Sequence, residues 1–548
     1  MRPAGRGKLQ SLYFNYPEFH APDRDGLARQ MPVAIVGAGP VGLFAALSLA
    51  RFGIRSVVFD DKTTFNDGSR AICLQRSSMH ALQRAGAVDP FVEKALGWTT
   101  GRTLYRGQQI LEFQMAHSSA ERYLPMYNVQ QQYIEQFLWQ AADQNPLIEL
   151  RWGSRLTGLT DGEGGIYLTI DDGDGTYDCR ADWVLAADGA RSTVRQLRGL
   201  RLQGNNFPGR YVIADVQMDH EYPTIRRALF DSKSNPDKTI LLHRQPDNIW
   251  RIDYQLPDGQ SEENAVREEV IRENVARILD DIGHDGAWDL EWWSIYSANT
   301  LALDDYRDGR VFFIGDAAHI VPIFGVRGLN NGLADAENAA WKLARVLNGQ
   351  SDEELLQSYT PERRAATMDI FANASKSARF MTPPGPGWTL MRDAALQLAL
   401  DHDWAGDFAN PRQMEPFTYT DGGAILTGPV AGAGVQPGTV LPDEKLAEDV
   451  FLNDITGNSF TLIALSDAEP DIDALQQVDP DLRLITGARL VQEYGKDALA
   501  RLQGLLGNEA DTVLIRPDGY IAGVWSDFDG PETARLMQRA FGRNGDDT

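Results

Sequence analysis

The sequence predicts an α/β protein: a parallel sheet with helices on its faces, an antiparallel-sheet insertion, and a smaller α/β unit after them. Three observations carry this expectation. Residues 32–60 read as strand, glycine turn, helix and strand, the opening of a doubly wound sheet. Residues 310–344 read as a second strand that runs through Gly315-Asp316 and a Pro/Gly loop into a helix. Between them, residues 205–300 break the helix–strand rhythm and turn strand-like. At 548 residues the chain has room for two or three domains and ample core.

Composition narrows the function classes. With 43% hydrophobic and 24% charged residues, the chain reads as an ordinary globular protein. A formal net charge of −25 argues against nucleic acid or an anionic membrane surface as the main partner. Cys73 and Cys179, the two cysteines, offer neither a disulfide framework nor a metal cluster, which fits a reducing cytoplasm. No apolar run approaches the length of a membrane span. Residues 1–30 are polar with several aromatics, lack an apolar signal core, and are expected to wrap the surface as an arm.

Pro32-Val33-Ala34-Ile35-Val36 is a short apolar strand, followed at once by Gly37-Ala38-Gly39-Pro40-Val41-Gly42. Leu43 to Phe52 reads as a helix and Ile54 to Asp60 as a second strand, so the Gly-x-Gly-x-x-Gly stands in the context it needs. Gly37 allows the tight turn, Gly39 lets backbone approach a pyrophosphate, and Gly42 permits close helix–strand packing. The helix N-terminus offers free N–H groups and the positive end of its dipole. Asp60, 23 residues after Gly37, suits ribose hydroxyls, with Asp61 as the alternative. A dinucleotide is expected here, FAD or NAD(P).

Three further segments bear on that choice. Ser69-Arg70-Ala71-Ile72 precedes an amphipathic helix, Gln75 to Ala85. Gln130-Gln131-Gln132-Tyr133 opens another. A strand, Asp182 to Ala187, ends in Asp188-Gly189-Ala190-Arg191-Ser192-Thr193-Val194-Arg195. Together with Gly315-Asp316, these resemble the single-component flavoprotein aromatic hydroxylases, the para-hydroxybenzoate and phenol hydroxylase family, over roughly residues 31–400.

The resemblance implies FAD as cofactor, NAD(P)H as reductant, and O2 and a phenolic small molecule as substrates. It implies ring hydroxylation through a flavin C4a-hydroperoxide. Gly37, Gly39, Gly42 and Asp60 would hold the ADP half of FAD, Arg70 and Gln131 would lie beside the flavin and pyrophosphate, and Asp188 would serve both FAD and NAD(P)H. Gly315 and Asp316 would hold the ribityl or pyrophosphate part. Gly328, Leu329 and Asn330 would set backbone N–H groups against the pyrimidine edge, where a helix N-terminus stabilises anionic reduced flavin.

On this reading residues 31–205 and 300–402 form a Rossmann-like FAD-binding domain, and 206–299 an inserted antiparallel-sheet substrate domain. Strands are expected over Arg210–Asp219, Thr239–Arg244, Trp250–Leu256 and Leu290–Tyr296, with a helix over Glu262–Asp281. Period two puts Arg251 and Asp253 on one face, away from Trp250, Ile252 and Tyr254. Arg251, His243 and Asp253 are candidates to face flavin or substrate. The alternatives are an outward Arg251–Asp253 ion pair and a structural histidine.

Pro322-Ile323-Phe324-Gly325-Val326-Arg327-Gly328 is expected to wall the reaction site. It departs from the common family pattern in having Ile323 for a second proline and Arg327 for a glutamine. Pro322 and Ile323 are candidates to hold the substrate, and Arg327 to set a positive charge beside the flavin. Other chemistry on this fold, namely epoxidation, Baeyer–Villiger oxidation or halogenation of a polycyclic or polyketide substrate, is the alternative. Trp292-Trp293-Ser294-Ile295 does not match the Trp-x-Trp-x-Ile-Pro of tryptophan halogenases.

Pro- and Gly-rich residues 403–440 read as a linker. Residues 441–548, with strands near 460–465, 482–485 and 512–522 among helices, resemble the thioredoxin-like domain of the phenol hydroxylase branch. Lacking cysteine, this unit is expected to serve packing or dimerisation, so a homodimer is the assembly it allows.

Overall fold

A computed structural model describes residues 1–548 except 25–28, 258, 323–324, 411–414, 421, 467–469 and 544–548. The apolar run β1 (Gln30–Val36) feeds α1 (Pro40–Ala50), whose first proline removes an N–H that would be unsatisfied anyway. β2 (Ser56–Phe59) returns parallel to β1. Helices α2 (Arg76–Arg84) and α3 (Gln131–Asp143) follow the two polar segments noted above, and β3 (Thr176–Ala186) pairs in parallel on the other side of β1. Across the sheet the order is Arg307–Asp308, Val311–Phe313, β3, β1, β2, Ile148–Arg151. Register decides what this order means for function. Val36 pairs with Ala186 and Ala186 with Phe313. Gly37, Asp188 and Gly315 therefore leave the sheet side by side, at the carboxyl ends of its strands, where open α/β sheets bind ligands.

The antiparallel insertion is β4 (Gln203–Met218), β5 (Arg226–Ser232), β6 (Asn235–Arg244), β7 (Ile249–Gln255), α4 (Glu268–Asp281) and β8 (Trp288–Ala302). Its sheet runs His319–Ile320, β8, β4, β7, β6, β5, Thr100–Tyr105, Gln108–Gln114. It therefore exceeds the 206–299 segment, because a hairpin from residues 100–114 extends it beside β5. Trp250, Ile252 and Tyr254 join Val212, Ala214, Val216, Val275 and Leu279 in a core under α4. The other face carries the polar residues. The helix expected over 262–281 is two pieces, Glu262–Ala265, capped by Ser261, and α4.

α5 (Gly328–Leu347) begins earlier than its Ala-rich stretch announced and is buried over most of its length; α6 (Tyr359–Met381) packs beside it. The C-terminal unit is a four-stranded sheet ordered Arg483–Thr486, Thr461–Ala464, Thr512–Ile515, Ile521–Trp525, parallel in its first pair and antiparallel in the others. Its helices include the single turn Leu452–Ile455 and the pair Gly487–Tyr494 and Lys496–Leu506, divided at Gly495, where φ is +87°. This unit is fused to the larger one by buried charge. Arg516 donates to both oxygens of Glu362 on α6, each at 3.1 Å, and to Asp518 at 2.6 Å.

The described part of the N-terminal segment is held by polar and aromatic contacts. Leu12 N–H and Ser11 Oγ donate to Glu291 at 2.8 and 2.7 Å, and Phe19 stacks on Trp152 at 4.3 Å between ring centres. Among the described residues no helix is long and apolar enough to cross a membrane.

Candidate active site

The glycine turn divides its tasks as its chemistry requires. Gly37 has φ +107°, and a Cβ there would stand 2.5 Å from the Ala187 carbonyl. A Cβ on Gly42 would meet the Gly37 carbonyl at 1.9 Å. Gly39 has ordinary φ of −74° and nothing within 4 Å of a Cβ, so open space adjoins an α1 N-terminus that no side chain caps. That is the cradle a pyrophosphate requires. Val41, after Pro40, packs against Gly315 and Gly332, joining the first turn to the second. Ala38 N–H donates to Asp60 Oδ2 at 2.6 Å. The Lys62 N–H and ammonium take the remaining Asp60 positions at 2.9–3.2 Å. Asp60 thus fastens the turn, its carboxylate shielded by a half-exposed lysine. Asp61 is exposed.

The second and third turns meet the first. Asp188 accepts from Val194 N–H at 3.0 Å, while its buried Oδ1 has no protein partner; burial raises its pKa. Asp316 is solvent-reachable yet surrounded by protein, as a cleft wall is. That enclosure raises its pKa, against the pull of His319, Arg70 and Arg195. Arg195 donates to the carbonyls of Ala317 at 2.9 Å and Ala190 at 2.6 Å, pinning the Asp188 loop to the Gly315 turn. Asp335 on α5 accepts from Gly315 N–H. Gln131 accepts from the N–H groups of Arg70 and Ala71 at 3.2 and 3.1 Å, so it shapes the loop that carries the exposed Arg70 guanidinium.

At α5 the first helical bond runs from Asn331 N–H to Arg327 O. The N–H groups of Gly328, Leu329 and Asn330 therefore precede the ladder, at the dipole's positive end. The Asn330 side chain is spent on structure. It accepts from Gln75 N–H at 3.0 Å and Ser78 Oγ at 2.7 Å, and donates to Val326 O at 2.7 Å. Arg327 is buried, lies against Gly325, and feels Asp369 of α6; burial lowers its pKa. Val326, before it, holds φ +63°, a strained state for a β-branched residue. Pro322 is buried at the start of this loop, and Ile323 lies outside the described residues.

The roof sheet brings its three candidates to one face. His243 pairs with Arg251, and Arg251 with Asp215 across β7 and β4. The outward ion pair between Arg251 and Asp253 does not form. Arg251 instead grips Asp215 through two bonds of 2.8 and 2.9 Å and donates to the Arg70 carbonyl at 3.1 Å and to that of Ser69. Through these bonds it positions the Arg70 loop. Burial drives His243 well below the usual imidazole range, helped by Arg226 and Arg251. Burial pushes the Asp253 carboxyl up to about 7, despite Arg251 and Arg226. Sequence reading missed Arg195, Asp335 and Arg226. Arg195 had a legible signal, since it closes the Asp-Gly segment. Asp335 and Arg226 had none without the α5 register and the unrecognised strand β5.

The family model described as "FAD binding domain" matches residues 30–374. A 3-(3-hydroxy-phenyl)propionate/3-hydroxycinnamic acid hydroxylase of Mycobacterium sp. (strain JLS) is 25% identical over 532 residues, 92% of this chain and 91% of that one. Its namesake from Burkholderia cenocepacia (strain HI2424) is 29% identical over 516 residues, 89% and 93% of the two chains. Among solved structures, the flavin-dependent monooxygenase PieE with FAD and substrate superposes with a TM-score of 0.77 at 22% identity, covering 94% and 99%. Aklavinone-11 hydroxylase with FAD and aklavinone gives 0.73 at 21% identity, with the same coverage. Glycine turn, Asp-Gly segment and Gly-Asp turn meeting at one sheet edge, within the stretch that the family model spans, place this chain in the FAD-binding-domain family of flavoproteins.

Proposed function

We propose that this protein is an FAD-dependent monooxygenase that hydroxylates a phenolic substrate with NAD(P)H as reductant and O2 as co-substrate. The observation that carries the reading is the convergence of Gly37–Gly42, Asp188 and Gly315-Asp316 at one edge of the sheet, facing the free N–H groups of α5. The α1 N-terminus would hold the pyrophosphate, Asp316 and Arg70 the middle of the cofactor, and Gly328 to Asn330 its pyrimidine edge. Bound there, FAD supplies hydride acceptance and oxygen activation. The chain's own contribution is binding, orientation and exclusion of water. Arg251 and Gln131 fix the Arg70 loop, and the roof sheet with Pro322 and Val326 to Gly328 would enclose the substrate.

The names of the curated relatives support a phenol bearing an acidic side chain. The strand order and pairing of the C-terminal sheet support a thioredoxin-like unit over 441–548 without thiol chemistry, placed for packing or for a homodimer. The absence of cysteine there excludes thiol–disulfide chemistry and so favours these roles.

The test is FAD content of the purified protein followed by NADH and NADPH oxidation across a phenol panel, with product analysis. Substrate-stimulated oxidation and a product one oxygen heavier are expected. A flavin-loaded protein that no phenol stimulates, or that returns an epoxide, ester or halogenated product, contradicts the reading.

A further inference from the structure

Arg226 stands in the roof where a counter-ion is missing. Arg227 pairs with Leu242 across β5 and β6, which puts Arg226 opposite His243, in line with Arg251 and Asp215 on the face turned away from α4. The two arginines of this row differ. Arg251 is paired with Asp215 and tied to backbone carbonyls. Arg226 is 5% exposed, and among the described residues no hydrogen bond or carboxylate within 4 Å is assigned to its guanidinium. Besides burial, the groups that act on it electrostatically are Asp253 and the Cys73 thiol. Beside it, His243 Nδ1 and Asp253 Oδ1 are buried without a hydrogen-bond partner. Buried arginine without a partner is costly, because a guanidinium stays protonated even when desolvation lowers its pKa.

The wall near Arg226 is of another kind. Cys73, Trp98 and Met126 pack with Met115 and Val326 into an apolar slab that ends next to the α5 N-terminus. An aromatic ring suits the slab and an anion suits the roof. A planar carboxylate can accept two parallel N–H···O bonds from the guanidinium fork.

We infer that Arg226, with His243 and Asp253 beside it, is the subsite for a carboxylate carried by the phenolic substrate. The inference rests on the hydroxylase reading and narrows it: the substrate is a phenolic acid, and Arg226 selects it over neutral phenols.

Two acid–ester pairs test this on the FAD-loaded enzyme: 3-(3-hydroxyphenyl)propionate and 3-hydroxybenzoate, each against its methyl ester, followed through the flavin absorbance change and through hydroxylated product. In the wild type at least one acid should bind about 50-fold or more tighter than its ester, the loss expected for an unpaired buried charge. Arg226→Met should weaken that acid by about 100-fold and leave the ester within about 3-fold, with Arg226→Lys between. Equal binding of acid and ester by the wild type overturns the inference, as does equal weakening of both in Arg226→Met at unchanged FAD content. If Arg226→Met fails to hold FAD, the wild-type preference alone decides. Hydroxylation of neutral phenols without preference for either acid overturns the subsite and leaves the hydroxylase reading standing; no hydroxylation of any phenol overturns both.

Discussion

The backbone N–H of Gly315 donates a 3.0 Å hydrogen bond to the carboxylate of Asp335, so the turn that presents Asp316 is fastened directly to α5. The same carboxylate pairs with His319 at 2.6 Å and accepts from Arg363 Nε at 2.7 Å. Arg363 reaches on to Tyr419 at 2.8 Å, in the segment that leads to the C-terminal unit.

Asp335→Asn should therefore loosen cofactor binding. Burial alone would raise the Asp335 pKa, but His319 and Arg363 hold it below the usual carboxylate range. The amide keeps one acceptor and leaves Arg363 without its anion, a loss of about 3 kcal/mol. The FAD dissociation constant should rise by about 10-fold or more, alongside a lower unfolding midpoint. Unchanged FAD affinity in a destabilised variant would show that Asp335 serves the fold alone.

Arg516 and Glu362 give a sharper statement about acid stability. Burial raises the Glu362 pKa, yet Arg516 and Lys342 overcome it and hold the group down to about 2, from an ordinary 4.5. A depressed carboxylate contributes stability that is present above the unfolded value and lost as pH falls through the folded one. The displacement corresponds to about 3 kcal/mol, lost between about pH 4.5 and 2. Glu362→Gln should flatten the acid limb of the denaturation curve in that window, and Arg516→Met should lower stability at pH 7 by about 3–5 kcal/mol. A wild-type acid limb retained in Glu362→Gln would count against the assignment.

Gly39 and Gly42 should separate binding from folding. Gly39→Ala meets no protein atom and keeps an allowed φ, so it should fold normally and lose FAD. Gly42→Ala drives a methyl into the Gly37 carbonyl and should destabilise the protein by about 3 kcal/mol or more. Thermal melts with flavin content resolve the two. Full flavin in Gly39→Ala would move the pyrophosphate away from α1.

Asp253 sets the opposite pH dependence. Burial raises its pKa from 3.8 to about 7. The folded state keeps a proton that the unfolded state has lost, so stability falls as pH rises from about 4 to 7 and is level above. Asp253→Asn should remove that part of the decline. The charge that appears near pH 7 faces Arg226, His243, Arg251 and Asp215 on the same sheet face, with Cys73 across from them. Affinity for an acidic phenol should consequently drop above pH 7 in the wild type and stay flat in Asp253→Asn. Parallel profiles in the two proteins would contradict this.

Much of the cofactor half was legible from the chain. Gly37 to Gly42, Asp188 and Gly315-Asp316 each end an apolar strand, and strand ends in a parallel sheet converge by topology alone. The roof was harder. Period two correctly separated Arg251 from Trp250, but it says nothing of partners, and Asp215, one strand over, helps make Arg251 a clamp on the Arg70 loop. The hairpin at 100–114 joins the roof across a long sequence separation that no local pattern records. Arg226 was invisible for the same reason, since its meaning lies in the counter-ion it lacks.

FAD held at this edge is expected to deliver one atom of O2 to a phenol ring. Reaction of the FAD-loaded protein with NAD(P)H, the preferred phenol and 18O2 tests it most directly. A hydroxylated product carrying 18O in its new hydroxyl is expected; NAD(P)H consumed with unaltered phenol and 18O recovered only as hydrogen peroxide, or a hydroxyl drawn from water, would overturn the hydroxylase reading.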